Sequence, residues 1–530
     1  MKILPFIILI SSITGCQSSI KQDHQELVSE QSMPPVVVEI QPITLETCNF
    51  TEHELTAVEV PYENLMHQLR DNLNLPVVNN SRVKAQRDWY ARHPAYLNRT
   101  FKRGSAFLYL IAAEVEKRGM PMELALLPIV ESAFDPFAYS HGRASGIWQF
   151  VPWTGRRYGM KQNWWYDGRR DVHAATLGAM NYLTRLHKYF DGDWLLALAA
   201  YNSGEGNVRK AIRKNQKKGK PTDFWSLNLP KETRAYVPKL LALAELVKTP
   251  ENFDLQFAEI PNIPFLKRVS TGSQIDLALA ADLAEISIED TYRYNAAFNR
   301  WATDPDGPHF LLLPVKNAEL FEAKLKQLKP ENRIKWVRYK IKSGDSVSTI
   351  ARKFRTSAEL IRSVNNIRNN QIRAGKTLTI PSATKSLNKY TLSADRRLAK
   401  ITSRPRKGTK IYHYVVQGDS MWDISRKYKV NLRALAKWNG MAPTDKLDIG
   451  KKLTVWIKSN TARAIVSSAP SKTRKIHYKV RNGDSIARIS DKFQVKMKDL
   501  MRWNKLNPRK YLQPGQSLTL FVDVLNQTSR

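Results

Sequence analysis

Residues 124–134 read LALLPIVESAF, and Glu131 is the only charge among them. On a helix Leu127 and Pro128 lie one turn before it and Phe134 one turn after it, so the carboxylate would share a face with apolar side chains. Acidic residues are seldom buried without a partner. Desolvation disfavours the ionised form, raises the pKa and keeps a proton available near neutral pH, which suits Glu131 to general acid work. Asp135 is one turn on and would be the obvious second carboxylate. Pro136 follows it, however, and biases it out of the helical conformation, so Asp135 is expected to close the helix. Pro128 is expected to kink or restart the helix and so to aim the Glu131 side chain.

Outward from this stretch, residues 60–250 carry helical segments with caps and breakers. SAFLYLIAAEVEKRG (105–119) ends on a glycine, DVHAATLGAMNYLTRLHKYF (171–190) opens on an aspartate suited to an N-cap, and WLLALAAYN (194–202) runs into SGEG. An all-α domain is expected there.

The C-terminal part repeats itself. YKIKSGDSVSTIARKF (339–354), YVVQGDSMWDISRKY (414–428) and YKVRNGDSIARISDKF (478–493) align as a strand, a Gly-Asp-Ser turn and a capped amphipathic helix. From Gly344, Gly418 and Gly483 to Asn365, Asn439 and Asn504 the spacing is 21 residues in every copy. A second strand follows Gly375, Gly450 or Gly515, so each unit reads strand, helix, helix, strand over 338–382, 412–457 and 476–523. Residues 266–315 follow the same order without the Gly-Asp turn, which predicts a degenerate fourth unit within a connector at 251–330 and an antiparallel strand pair between roughly 265–271 and 309–314. The stretches 383–411 and 458–475 read as solvated flexible linkers. The first holds nine Lys/Arg and one acidic residue over 382–410.

A chain of 530 residues exceeds what one core organises, and 42% hydrophobic content is enough for several. The net charge of +36 favours acidic partners: nucleic acid, an anionic membrane or a polyanionic cell wall. MKILPFIILISSITGC (1–16) has a lysine, an apolar run too short to span a bilayer and a small-residue ending, which predicts a secretory signal over 1–15. Export argues against nucleic acid as the partner. Residues 16–59 read as a tether, and no intrachain disulfide is expected from Cys16 and Cys48. There is no HExxH spacing, no zinc cluster and no phosphate loop, so neither metal nor cofactor is expected. His141 reads as a loop residue.

Several motifs carry family resemblances. ITGC resembles the lipobox of bacterial lipoproteins, which implies acylation of Cys16, and Gln17 in place of Asp implies an outer-membrane anchor facing the periplasm. The alternative is an ordinary signal peptide with an incidental cysteine. The three repeats, over 338–523, resemble the LysM domain, a module that binds N-acetylglucosamine-containing glycans such as peptidoglycan. Their glycan-binding positions are expected at Gly344, Asp345, Asn365, Gly418, Asp419, Asn439, Gly483, Asp484 and Asn504. Glu131-Ser132, Gly146-Ile147-Trp148-Gln149, Ala200-Tyr201-Asn202 and Glu232-Thr233-Arg234-Ala235-Tyr236, within about 100–245, resemble in order and spacing the soluble-lytic-transglycosylase type of catalytic domain, itself similar to goose-type lysozyme.

The resemblance implies a multidomain chain, an all-α lysozyme-like catalytic domain followed by small α+β LysM repeats. It also implies a lyase acting on peptidoglycan glycan strands. Glu131 would protonate the glycosidic oxygen and then take a proton from the C6 hydroxyl of the same muramic residue, closing a 1,6-anhydro ring without water. Tyr236 would hydrogen-bond near Glu131, Ser132 would hold the glutamate or the acetamido group, and Gln149, Tyr201 and Asn202 would line the cleft. The usual Gly-Leu-Met-Gln is Gly-Ile-Trp-Gln here, and Trp148 reads either as a sugar platform or as a core residue. A hydrolytic muramidase and a non-catalytic wall-binding lipoprotein are the rival readings.

Overall fold

The computed structural model describes residues 62–368, 371–457 and 473–523, except 494, 496, 505 and 507–511. The expected signal (1–15), the tether (16–59), lipidation at Cys16 and most of the linker at 458–475 lie outside these residues.

The first domain is helical: α1 (Leu65–Asp71), α2 (Ser81–Ala91), α3 (Pro94–Lys117), α4 (Leu127–Ser132), α5 (Pro152–Arg157), α6 (Val172–Tyr189), α7 (Trp194–Ser203), α8 (Glu205–Gln216) and α9 (Lys231–Lys248). Its centre is α7. Every residue from Leu196 to Ala200 is apolar and buried, and a helix without a polar face has to be enclosed on all sides. α6, α8 and α9 pack around it. Asp171 and Asp193 cap α6 and α7, accepting the Ala174 and Leu196 amides at 2.9 Å each.

Four strand-helix-helix-strand units follow. In the connector, β1 (Leu266–Ser270) and β2 (Phe310–Pro314) pair antiparallel around α10 (Leu277–Ala284) and α11 (Ile288–Tyr294), with α12 (Val315–Gln327) packed on both strands. The repeats are β3 (Lys335–Lys340), α13 (Val347–Phe354), α14 (Ala358–Val364) and β4 (Thr377–Ser382), then β5 (Thr409–Tyr414), α16 (Met421–Lys427), α17 (Leu432–Trp438) and β6 (Lys452–Ile457). The last unit has strands Thr473–Lys479 and Ser517–Asp523 around helices Ile486–Lys492 and Met497–Trp503.

One side chain closes each unit. Asn439 ends α17, donates to the Leu435 and Thr454 carbonyls at 2.9 and 2.8 Å, and accepts the Thr454 amide at 2.7 Å. It thus satisfies the open end of the helix and a residue of the returning strand together. Asn365 and Asn504 do the same with Thr379 and Thr519. Asn295 makes the identical clamp in the connector, with the Thr291 carbonyl and both backbone groups of Leu312.

The Asp positions expected to bind glycan also make bonds within each unit. Asp345 accepts the Tyr339 hydroxyl and the Lys342 amide, Asp484 accepts the Tyr478 hydroxyl and the Arg481 amide, and Asp419 accepts His413 and the Val416 amide. Gly344, Gly418 and Gly483 supply the left-handed residue of the same turns. All nine positions belong to the scaffold of the unit.

The reading of 383–411 as a flexible linker is corrected. Tyr390 is buried, and its hydroxyl donates to the buried Asp276 at 2.7 Å. The helix α15 (Ala394–Ser403) is fixed by the Ala394 amide on the Asn299 carbonyl, by an Arg300–Asp395 pair at 2.9 Å and by Arg397 over the Phe137 ring at 4.4 Å. Composition averages over a stretch. It cannot register that Tyr390 and the single acid, Asp395, each meet a partner.

Asn439→Ala should strand the buried Thr454 backbone and cost the second repeat about 2–3 kcal/mol. Hydrogen exchange of the full chain should show faster exchange of the Thr454 amide, with α7 protection unchanged.

Candidate active site

Residues Met122–Leu126 form a 3-10 turn, and the α-helix restarts at Leu127 with Pro128 in its first turn. An amide there has no intrahelical partner, so proline costs little. The restart expected at Pro128 is therefore present. The helix ends at Ser132 because Ala133 and Phe134 turn left-handed, with φ of 51° and 55°. Their amides donate to the Ile129 and Pro128 carbonyls at 3.1 and 3.2 Å. Left-handed conformations of non-glycine residues cost on the order of 1–2 kcal/mol each, and such strain gathers at functional sites.

This ending changes what surrounds Glu131. Phe134 does not stand on the next helical turn. It seats against α3 at Gly104, where a Cβ would lie 2.5 Å from its ring. Asp135 does not close the helix, which ends three residues earlier; its carboxylate accepts the Phe137 amide at 2.9 Å. The enclosure of Glu131 comes instead from distant helices: buried Tyr236 of α9 and half-buried Tyr201 of α7 both sense its charge.

The Tyr236 hydroxyl donates to Glu131 Oε1. Burial pushes the Glu131 carboxyl up to about 7; the Tyr236 hydrogen bond opposes this, the Glu232 charge adds to it and Lys239 opposes it. Ser132 Oγ donates to the Ile147 and Pro128 carbonyls at 3.0 and 3.2 Å, tying the end of α4 to the Gly146–Gln149 turn.

That turn is held from below. Gly146 has φ 81°, and a Cβ on it would lie 2.0 Å from the Arg169 carbonyl oxygen, so only glycine fits. The Arg169 guanidinium bonds Asp167 at 2.9 and 2.8 Å and reaches the Arg143 and Phe150 carbonyls at 2.6 and 3.1 Å. Burial would raise the Asp167 carboxyl, but the Arg170 and Arg169 charges and hydrogen bonds override it and hold it below its usual value.

Trp148 is the core residue of the two sequence alternatives. Its indole is fully buried and donates to Thr176 Oγ1 at 3.0 Å, so it offers no sugar platform. It contributes its carbonyl, which accepts the Tyr201 hydroxyl at 2.9 Å. Gln149, itself left-handed at φ 49°, donates to the Gly146 carbonyl at 2.7 Å. Asn202 accepts Thr233 Oγ1 at 2.8 Å, and its amide nitrogen has no acceptor among the described residues.

Glu131, Gln149, Tyr201, Asn202 and Tyr236 line one cleft of about 640 Å³. Ser132 and Trp148 support its wall from behind. The cleft holds three further groups that sequence reasoning left unassigned: His141, Glu232 and Lys239. Glu232 and Lys239 stand four residues before and three after Tyr236 on α9, a helical spacing that could have revealed them. Glu131 is therefore not the only carboxylate in the cleft.

The raised Glu131 pKa carries a stability consequence. The unfolded value is about 4.3, so the folded state holds the proton more tightly. The associated stability is complete below that value and is lost as pH rises through about 7. Glu131→Gln should therefore be more stable than the parent by about 3–4 kcal/mol at pH 8 and nearly equal to it at pH 4, as read by denaturant titration.

Family models place this chain clearly. The Transglycosylase SLT domain matches residues 108–224, the LysM domain matches 339–381, 413–456 and 478–521, and "Lytic transglycosylase MltD, LysM-like domain" matches 265–330. The chain is 39% identical over 400 residues, 74% of its length and 85% of the relative's, to membrane-bound lytic murein transglycosylase D of Escherichia coli (strain K12). It is 33% identical over 93 residues, 18% of its length and 28% of the relative's, to the cell wall-binding protein YocH of Bacillus subtilis (strain 168). A solved lytic transglycosylase Slt from Pseudomonas aeruginosa is 24% identical, with a TM-score of 0.21 over 28% of this chain and 24% of that one. The chain is a lytic murein transglycosylase and belongs to the membrane-bound lytic murein transglycosylase D family.

Proposed function

We propose that Glu131 supplies both the acid and the base for non-hydrolytic cleavage of the β-1,4 bond between N-acetylmuramic acid and N-acetylglucosamine. The observation that carries this is that Glu131 lines the cleft with the Tyr236 hydroxyl on its carboxyl, which burial pushes up to about 7. Protonated Glu131 gives its proton to the glycosidic oxygen as the bond to the anomeric carbon breaks. The substrate's own N-acetyl group stabilises the developing positive charge. The C6 hydroxyl oxygen of the same sugar then bonds to that carbon and returns its proton to Glu131, leaving a 1,6-anhydro ring. An attacking group tethered in the same molecule has a high effective concentration, and no water enters the balance.

The Tyr236 hydroxyl is positioned to steady the carboxylate once the proton has left. The uncommitted Asn202 amide is a donor for the sugar, and Gln149 and Tyr201 shape the wall. The repeats bring the enzyme to peptidoglycan through exposed apolar side chains such as Trp422 and Tyr414, their Asn and Asp residues being occupied internally. Acylation of Cys16 would hold the enzyme at the outer membrane, facing the periplasm. A membrane-bound relative supports this reading, and among the described residues no helix is long and apolar enough to cross a membrane.

Exposed Glu232 favours one rival, in which it activates water and the enzyme is a hydrolytic muramidase. Mass spectrometry of digested sacculi separates the two. Anhydro ends, lighter by one water than reducing ends, are expected from the parent chain and from Glu232→Gln; reducing ends alone would refute the lyase chemistry. Glu131→Gln should abolish cleavage and leave sacculus binding intact. The kcat/KM of the parent should fall as pH rises through about 7, because the acid form of Glu131 is lost.

A further inference from the structure

The catalytic cleft is not built by the catalytic domain alone. Arg433, at the start of α17 in the second repeat, lines it together with Glu131 and Lys239. Its side chain is exposed, and among the described residues neither it nor Lys239 has a hydrogen-bond or ion-pair partner.

Several contacts hold the repeat there. Asp445 pairs with Arg143 at 2.9 Å and accepts the Tyr139 hydroxyl at 3.0 Å, while its other oxygen accepts the Ala442 amide at 2.8 Å. Tyr139 and Arg143 flank Ser140, His141 and Gly142, which line the cleft. On the far side Gly440 lies against Ile401 and Leu398 of α15, so close that a Cβ would meet them at 3.3 and 3.4 Å. The same helix is anchored on the connector through Asp395 and against Phe137 through Arg397. A partly exposed ion pair such as Arg143–Asp445 contributes at most about 1 kcal/mol, so the packing of α15 is what sets the position.

We infer that the second repeat forms a wall of the catalytic cleft, and that Arg433, with Lys239, recognises a carboxylate on the substrate, namely that of an acidic peptide stem on the muramic residue. An arginine fork matches a carboxylate geometrically, and a free cation at the cleft mouth also draws an anionic strand inward. The inference rests on the lytic transglycosylase reading and adds a requirement to it: the glycan alone is an incomplete ligand, and the stem is read by a module outside the catalytic domain.

The test uses the full chain on two substrates, glycan strands bearing their stem peptides and the same strands with the stem carboxylates converted to neutral amides. Arg433→Ala should raise KM on strands with free stem carboxylates about fivefold, the scale of one solvent-screened charge pair, with kcat unchanged and with no change on the amidated strands. Asp445→Ala, which removes one tie between the repeat and the 139–145 loop while α15 still holds the repeat, should lower the same preference less than Arg433→Ala does. Arg433→Lys should restore part of it. Equal effects on both substrates, or none on either, would overturn the inference while leaving the cleavage chemistry standing. Absence of any anhydro product from the parent chain would overturn both.

Discussion

The hydrogen bond from Tyr236 to Glu131 joins two segments 105 residues apart, and the site depends on what it requires. A carboxyl enclosed among tyrosines is costly to ionise, so it holds its proton near neutrality; a phenol aimed at one oxygen limits that cost and fixes the rotamer. Both conditions need α9 to lie against the end of α4, and α9 is placed by the apolar helix α7 on which it packs. The position of Glu131 is thus set by the core beneath it. Its own helix is only six residues long and could not hold it alone.

Around the carboxyl, strain and constraint are concentrated in a few residues. Ala133, Phe134 and Gln149 are left-handed without being glycine, and Gly146 is left-handed against a carbonyl that excludes any side chain. The Arg169–Asp167 pair underneath satisfies two loop carbonyls and keeps the turn from relaxing. The Ser132 hydroxyl then locks that turn to the catalytic helix.

The C-terminal units follow a different economy. Each is too small to have a large core, and one asparagine closes helix to strand where apolar burial is thin. Asn295 makes that clamp in the connector although the Gly-Asp turn is missing, which separates what the unit needs to fold from what accompanies it.

Much of this was legible in the order of residues. The periods of two and of about four, the capping aspartates and the 21-residue spacing identify helices and repeat units, because each rests on local backbone geometry, and the Glu-Ser, Gly-Ile-Trp-Gln, Ala-Tyr-Asn and Glu-Thr-Arg-Ala-Tyr motifs carry the family resemblance that singles out Glu131. Tertiary structure alone decided the rest. It turned Phe134 away from Glu131, buried Trp148, placed Glu232 and Lys239 in the cleft, and docked a basic stretch that by composition should have stayed solvated. It also brought Arg433 to the cleft from about 300 residues further along the chain, the gap from Glu131. These outcomes depend on which surfaces meet across long loops, and a sequence encodes that pairing only through the whole set of contacts.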